Sequence, residues 1–596
     1  MSASIDQANS QEEKLQHMRH SCAHMLAQAV LDMFPEAKLA IGPTIENGFY
    51  YDFELPRTLI PEDLALIEDK MKHIAKQRQT FHRVEEPVKK AVKFLEGKGQ
   101  PYKVELAEDL GKAGETTVSF YENKLPNGEL KFWDLCRGGH TETTGDVGAF
   151  KLVKIAGAYW RGDEKRQMLQ RIYGYCFETK EELNAYIKLQ EEAKKRDHRV
   201  LGQQLKLFTI SPLVGAGLPL LQPNGAIIRR ELEEYLWGLH KDKGYLRVWT
   251  PHIAKEDLYV KSGHAAKFGD ELFRVKGKED AFIMKPMNCP HHMQIFADNQ
   301  YSYRDMPIRY FEPATVYRDE KSGQLGGLTR VRSITQDDGH LFCRVSQIKA
   351  EVTTICKVIA EFYKTMALDK DYWVSLSVRG EEKGKYLGSD EVWAEAEAAL
   401  EEAAKANKLP YKRVEGEAAF YGPKLDFIFK DCLGREWQLA TIQCDFNLPV
   451  RFELEYTNEA GEKERPVVIH RAISGSLERF MGIMIEHFAG AFPVWLAPVQ
   501  VQILPVAEPH VAYAEELGRE LAEAGVRVKV DNSGDSLGKR IRSAEMMKVP
   551  YMLVIGDKEV AGGELAVRSY KTKEQIGVLK EKLIADLLEE IKTRKS

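Results

Sequence analysis

The sequence predicts a multidomain α+β protein, and three observations lead there. The chain has 596 residues, and at roughly 100 to 200 residues per domain that length implies three or more cores. The stretch TKEELNAYIKLQEEAKKRDHR, Thr179 to Arg199, is dense in charges and helix formers without Gly or Pro, as suits a long exposed connecting helix. After Trp495, short apolar runs (VQVQILPV, VRVKV, VPYMLVIG, ELAVRSY) alternate with helical stretches, the βαβ pattern of a three-layer α/β domain.

Composition narrows the class. Hydrophobic residues make up 43% and charged residues 29%, with mean hydropathy −0.40, so the chain can bury sizeable cores and carries no disordered signature. A net charge of −5 excludes a globally basic nucleic-acid coat, so a nucleic-acid partner has to be recognised locally. Eight dispersed cysteines make no disulfide framework and are expected to be reduced. The opening MSASIDQANSQEEK is polar, and no apolar run reaches about 18 residues. A cytoplasmic protein with no membrane span is expected, and no internal repeat points to a solenoid.

The first helix is expected to begin at Ser10, spaced with Glu13 as a capping box. Leu15, Met18, Cys22, Met25, Ala29 and Met33 then form an inward stripe that ends before Pro35. At 100° per residue, His20 and His24 both lie about 160° from Cys22, on a face left for solvent or a cleft. Their HSCAH spacing is that of a zinc-protease helix, but Ser21 stands where the catalytic Glu would be. Two resemblances to phosphate-binding loops fail as well. Gly215-Ala216-Gly217 lacks the third glycine of a dinucleotide fingerprint, and Gly534 to Lys539 is one residue short of a Walker loop, with Arg540 where Ser or Thr is needed.

The central segments are more specific. They are GYLRVWTPHI, MKPMNCPHHM, FEPATVYRDEKSGQLGGLTRVRSITQDDGHLF, AFYGPKLDF, TIQCDF and VVIHRAISGSLERF. In this order they resemble class II threonyl-tRNA synthetases. Thr315 to Glu320 is similar to motif 2, GSLERF to motif 3, and the segment around Pro251 to motif 1, which in the class II enzymes builds the dimer interface and an antiparallel catalytic sheet. Upstream, HSCAH, IGPTIENGFYYDF and DLCRGGH resemble the editing domain of the same family. The resemblance runs from Leu15 to near the end of the chain.

It implies four parts: an editing domain at 1–178, a linker helix at 179–206, a class II catalytic domain at 207–494 and an anticodon-binding domain at 495–596. It implies a homodimeric threonine–tRNA ligase that uses L-threonine, ATP with Mg²⁺, and threonine tRNA, and that hydrolyses mischarged seryl-tRNA. The implied zinc, one per subunit, has the ligands Cys289, His340 and His470. Three protein ligands are the count of a catalytic zinc with an open position, whereas structural sites are usually closed by four. Asp338 is implied to accept the threonine hydroxyl proton. Arg318 is implied to hold the α-phosphate, Glu320 the adenine amine, and Arg330 and Arg479 the other phosphates. Gln336, Tyr421, Lys424 and Gln443 are implied to line the amino-acid and adenylate pocket.

His20, His24, Cys136 and His140 are the editing candidates. Their donor set also suits zinc, while the family resemblance implies hydrolysis without a metal. Glu559 and Arg568 match anticodon-contacting positions, with Asn532, Lys539 and Arg540 nearby and Gly534 where the family has an Asn. Other departures are Gly139, His291, Ser333 and Gly339, and the absence before Leu15 of the ubiquitin-like module common in bacterial members. Two rival readings stand beside this one. A paralogue activating an amino acid for a non-tRNA acceptor would have no use for the editing and carboxy-terminal domains. A non-catalytic binding module would have no use for Arg318, Arg479 and the Cys/His triad.

Overall fold

The computed structural model describes residues 2–382 and 385–595, with the side chains of 2–10 left aside. It divides into two compact units, Met1–Glu191 and Glu192–Ser596. Among the described residues no helix is long and apolar enough to cross a membrane.

In the first unit, helix Ser2–Met33 starts eight residues before the expected cap. Neither Gly nor Pro interrupts SASIDQANSQEEK, so the Ser10 to Glu13 spacing lies inside the helix and not at its start. The stripe does pack inward: Met18, Cys22, Met25 and Ala29 are buried, with Leu15 and Met33 at its edge. Against it lies an antiparallel sheet containing Gly48–Glu54, Met168–Phe177 and Ala149–Tyr159. A second, three-stranded antiparallel sheet is built from Thr80–Pro87, Thr117–Lys124 and Leu130–Leu135. The histidine face of the helix meets this second sheet, since the His24 ring lies 5.7 Å from Phe132 and 6.3 Å from Phe81. The face expected to be left for solvent or a cleft is instead packed at His24, which is fully buried, whereas His20 stays half-buried; the second sheet, with Phe132 in the core, covers it. The connecting helix is Lys180–Arg196, after which Asp197 caps a separate short helix, His198–Gln204, through a hydrogen bond from the Arg199 N–H.

The second unit is centred on an eight-stranded sheet. Its order is Tyr245–Arg247, Ile308–Tyr317, Ser333–Cys343, Val467–Ala472, Glu436–Asp445, Lys424–Lys430, Tyr372–Val378 and Tyr411–Glu415. The five inner pairings are antiparallel and the two outermost are parallel. Helices Pro223–Lys241, Ile348–Thr365, Asp390–Ala406 and Leu477–His487 share one large core with this sheet. Register fixes the functional geometry. His340 stands opposite His470, His470 opposite Gln443, and Gln443 opposite Lys424, so one row crosses four neighbouring strands. Because side chains alternate along a strand, Gln336, Asp338 and His340 share one face while Asp337 and Gly339 take the other.

The carboxy-terminal part has strands Val501–Pro505, Val528–Val530, Tyr551–Ile555, Leu565–Ser569 and Gln575–Val578 in one sheet. Helices Val511–Glu523 and Lys580–Thr593 cover one face, and Leu537–Met546 packs in a separate cluster with Leu504 and Met552, giving three layers. The sheet is mixed rather than uniformly βαβ: Leu565–Ser569 and Gln575–Val578 run antiparallel, since turns too short for a crossover helix precede them.

Candidate functional site

Three side chains from distant segments converge at the centre of the large sheet. Cys289 begins helix Cys289–Ala297, whereas His340 and His470 are cross-strand partners; their ligand atoms lie within 4.8 Å of one another. All three are buried. Their outer partners settle which nitrogens are free. Glu312 Oε2 lies 3.0 Å from His292 Nε2, and His292 Nδ1 lies 2.7 Å from His340 Nδ1. A carboxylate only accepts, so His292 donates from Nε2, its Nδ1 accepts, and His340 donates from Nδ1. His340 Nε2 is left buried with no hydrogen-bond partner. In the same way Asp445 Oδ2, 2.9 Å from His470 Nε2, fixes the proton there and leaves Nδ1 bare. Two bare imidazole nitrogens and a thiol fit a zinc ion by donor type, each imidazole backed by the carboxylate-linked partner such ligands usually have.

A cavity of about 300 Å³ opens beside this triad, lined by Arg318, Gln336, Asp338, Tyr421, Gln443, His470 and Arg479 among others. Asp338 Oδ2 accepts from Asn288 Nδ2 at 3.1 Å, and Tyr421 donates to Gln443 Oε1 at 3.0 Å. Neither Arg318 nor Arg479 has an ion-pair partner among the described residues. Arg318 touches Met287 Sδ at 3.1 Å and sits 4.9 Å over the Phe268 ring; Arg479 donates to the Thr329 carbonyl at 3.0 Å. Burial lowers the pKa of both guanidiniums, with the Arg330 charge adding to the effect at Arg479. Two desolvated cations with no carboxylate in ion-pair contact suit the cavity to an anion, although Glu320 acts on both and Glu271 on Arg318 at longer range.

The remaining sequence candidates are placed as follows. Glu320 and Arg330 pair with each other, Arg330 Nη2 to Glu320 Oε2 at 2.7 Å. Lys424 is turned to Asp426 at 2.6 Å and does not line the cavity. His291 is buried with neither ring nitrogen partnered. Gly339 lies under Arg471, where a Cβ would stand 2.6 Å from the guanidinium carbon; a larger residue has to displace that side chain. Sequence reading missed Asp445, His292 and Glu312. The signal was spacing: Asp445 stands two residues after Gln443 on one strand, and His292 three after Cys289 on one helix.

A second constellation lies within the first unit. Cys136 Sγ is 3.3 Å from His20 Nε2 and 3.4 Å from His140 Nε2, and it accepts from the Gly138 N–H at 3.2 Å. His20 Nδ1 donates to the Gly138 carbonyl at 3.0 Å, so its Nε2 is the accepting nitrogen. The His20 and His140 rings stack at 4.4 Å, and His24 packs 4.3 Å from His140. Beneath them is a buried group the sequence reading missed. Asp134 is ion-paired with Lys103 Nζ at 2.6 Å and accepts from the Tyr51 hydroxyl at 2.6 Å, with His24 Nε2 at 3.8 Å. Asp134 precedes Cys136 by two residues, the spacing that was available to find it. Burial, then the Asp134 charge, pushes the Cys136 thiol up to about 12. Burial lowers His20, His24 and His140 as well, so all three imidazoles are neutral near pH 7.

In the carboxy-terminal part Glu559 accepts from the Gly556 N–H at 2.8 Å and borders an open cavity of about 640 Å³. Arg568 pairs with Glu545 at 2.6 Å, Lys539 with Asp535 at 2.7 Å, and Asn532 Nδ2 lies 3.4 Å from Glu515.

The mainly antiparallel sheet, together with Arg318, Arg479 and the Cys/His/His cluster, forms a class II aminoacyl-tRNA synthetase core, as a family match shows. The family described as "tRNA synthetase class II core domain (G, H, P, S and T)" matches residues 273–488. "Threonyl and Alanyl tRNA synthetase second additional domain" matches residues 118–173, and "Anticodon binding domain" residues 500–590. The chain belongs to the threonine–tRNA ligase family. It is 50% identical to the threonine–tRNA ligase of Gloeobacter violaceus over 94% of this chain and 89% of that protein. It is 48% identical to the Thermus thermophilus enzyme over 93% of this chain and 85% of that one. Among solved structures it is similar to the RNA binding domain of threonyl-tRNA synthetase from Cryptosporidium parvum, with TM-score 0.63 and 37% identity over 66% of this chain and 98% of that chain.

Proposed function

We propose that this chain ligates L-threonine to threonine tRNA through a threonyl-adenylate and removes serine attached in error. The observation that carries this reading is the Cys289/His340/His470 triad opening beside Asp338, in a cavity lined by Arg318 and Arg479, neither of them in an ion pair among the described residues. A zinc ion bound there would supply a Lewis acid with an open position for the substrate's amine and hydroxyl. Asp338 takes the hydroxyl proton in a hydrogen bond that valine cannot make, and such a site rejects a hydroxyl-less analogue by roughly 10⁴ or more. Arg318 neutralises charge at the α-phosphate of Mg²⁺-ATP as a threonine carboxylate oxygen bonds to phosphorus and pyrophosphate leaves. Gln336, Tyr421 and Gln443 orient the amino acid, while Glu320, Arg330 and Arg479 serve the rest of the nucleotide; on ATP binding the Glu320–Arg330 pair opens to the adenine and phosphates. Lys424 reaches the adenylate by leaving Asp426. The terminal hydroxyl of the tRNA then attacks the acyl carbon and AMP departs.

Serine lacks only a methyl, worth about 1 to 3 kcal/mol, so this site leaks serine. His20, His24, Cys136 and His140 hydrolyse the resulting ester. Four donors would close a metal's coordination, which leaves no position for a reacting water and favours the metal-free reading. The neutral imidazoles accept the proton of that water. Glu559 and Arg568 contact the anticodon. The boundaries we assign are 1–178 for editing, 179–206 for the linker, 207–494 for catalysis and 495–596 for the anticodon. A cytoplasmic homodimer is favoured by eight unpaired cysteines and by the exposed Leu246 and Trp249, the latter 74% exposed, in the segment resembling motif 1. Threonine-dependent pyrophosphate exchange and charging of threonine tRNA test the whole reading. Cys289→Ala should abolish both; exchange in a zinc-free Cys289→Ala protein would contradict it.

A further inference from the structure

The loop between strands Ile308–Tyr317 and Ser333–Cys343 carries Arg318, Glu320 and Arg330, and its tip is tied down from outside the cavity. The tie is His198, a buried residue at the start of helix His198–Gln204. Its Nδ1 lies 2.6 Å from Glu486 Oε1, and its Nε2 receives the backbone N–H of Leu328 at 3.0 Å. An amide N–H only donates, so Nε2 is the bare nitrogen and Nδ1 carries the proton to Glu486. The His198 backbone N–H donates to the same carboxylate at 3.1 Å, and Arg435 takes its other oxygen. Asp197, His198 and Glu486 have the donor types of a metal site. Yet both imidazole nitrogens are engaged, and both Asp197 oxygens accept from Arg199. A tether explains every atom of the cluster.

The fit around it is close. Gly327 has φ +55°, and a Cβ there would stand 2.2 Å from His198 Nε2. Leu328 is fully buried. Across from it, a Cβ on Gly482 of helix Leu477–His487 would lie 3.3 Å from both Leu328 and Thr329. Thr329 then accepts from Arg479 Nε through its carbonyl at 3.0 Å. Glu486 and Arg479 are on one helix, so His198 closes a loop of contacts that runs from that helix through the loop tip and back to the helix.

We propose that His198 is a positioning residue for nucleotide use, holding residues 327–330 so that Arg330 and Arg479 meet the phosphates at the right place. The proposal rests on the cavity being the ATP site. Among the described residues Asp338 and the triad share no hydrogen-bond partner with His198, so threonine recognition does not depend on the tether.

Two variants separate the halves of the tether. In His198→Asn the amide NH₂ replaces Nδ1–H toward Glu486, but nothing reaches Leu328. In His198→Gln the longer side chain brings its Oε1 to the Leu328 N–H. His198→Asn is expected to raise KM for ATP about five-fold, the ratio for one lost neutral hydrogen bond, with KM for threonine and zinc content unchanged. His198→Gln is expected to recover most of that loss. Hydrogen exchange at the Leu328 amide should quicken in His198→Asn and stay protected in His198→Gln. A wild-type KM for ATP in His198→Asn overturns the proposal, as does equal weakening of ATP and threonine in both variants. If the wild-type protein binds ATP but gives no threonine-dependent exchange, the amino-acid reading fails, and ATP affinity measured by titration calorimetry on the same variants still decides the tether.

Discussion

Asp445→Asn tests how the triad is made ready for a metal. Asp445 is fully buried, and its two oxygens are divided between two tasks. Oδ1 accepts from the backbone N–H groups of Asn447 at 2.8 Å and Leu448 at 2.9 Å, while Oδ2 accepts from His470 Nε2 at 2.9 Å. An asparagine there has one oxygen and one NH₂, and the two amide donors claim the oxygen, since facing them with NH₂ leaves two buried N–H groups unpaired. The NH₂ therefore points at His470 Nε2, which can accept only if the imidazole proton moves to Nδ1. That is the nitrogen the metal needs, so the substitution preserves shape and reverses the tautomer. Losing the carboxylate behind a histidine ligand costs about 10- to 100-fold in metal affinity, or roughly 1.4 to 2.8 kcal/mol. Zinc competition against a fluorescent chelator measures this directly, with threonine-dependent exchange at saturating and limiting zinc as the functional companion. Exchange should fall at limiting zinc and recover in part when zinc is raised. Zinc affinity within about two-fold of wild type, in a variant with unchanged melting temperature, would refute the tautomer argument.

Three further outcomes are expected. Changing His24 or Cys136 to Ala should leave threonine charging near the wild-type level while seryl-tRNA accumulates; continued clearance of serine would move editing elsewhere. Because the Cys136 pKa is raised to about 12, its thiolate fraction is negligible at pH 7 and grows only as pH climbs well past 9. Iodoacetamide should thus label Cys136 more slowly than free cysteine at pH 7, with the rate rising throughout the alkaline range, and faster labelling at pH 7 would remove that assignment. Arg568→Ala or Glu559→Ala should lower charging efficiency and anticodon selectivity while sparing pyrophosphate exchange, because nucleic-acid backbone contacts elsewhere supply much of the affinity; unchanged charging of cognate and anticodon-altered tRNA would show that other residues read the anticodon.

Residue types that bring their own chemistry were legible in the sequence, and the partners that tune them were not. Cys289, His340 and His470 stood out because a thiol and two imidazoles in recognisable segments have few other uses together. Asp445, Glu312 and Asp134 are ordinary carboxylates whose meaning comes only from what register and packing place beside them. His198 was read as part of an exposed connecting helix, since nothing local reveals that the helix breaks at Asp197 and buries the next side chain against Leu328 and Glu486. The helix start at Ser10 failed for a related reason. A capping box is a local pattern, and a stretch before it without Gly or Pro lets the helix continue through.

Strand Ser333–Cys343 ties the two sides of the sheet together. Its Gln336, Asp338 and His340 face the cavity and the triad, and the alternate residues Asp337 and Gly339 face the opposite side. That opposite side is also buried and polar. Asp337 accepts from the Ile473 and Ser474 N–H groups at 2.8 and 3.0 Å, and Arg471 lies over Gly339. Ser474 opens the turn that leads to Ser476, whose hydroxyl accepts from the Arg479 N–H at the start of helix Leu477–His487. A single strand thus lines the cavity with one face and, through Asp337, holds the turn before the helix bearing Arg479 with the other. A one-residue slip in its register would exchange the two faces at once, breaking up the triad and displacing Arg479 together. The antiparallel neighbours on both sides, paired from Ile308 to Tyr317 and from Val467 to Arg471, are what prevent it.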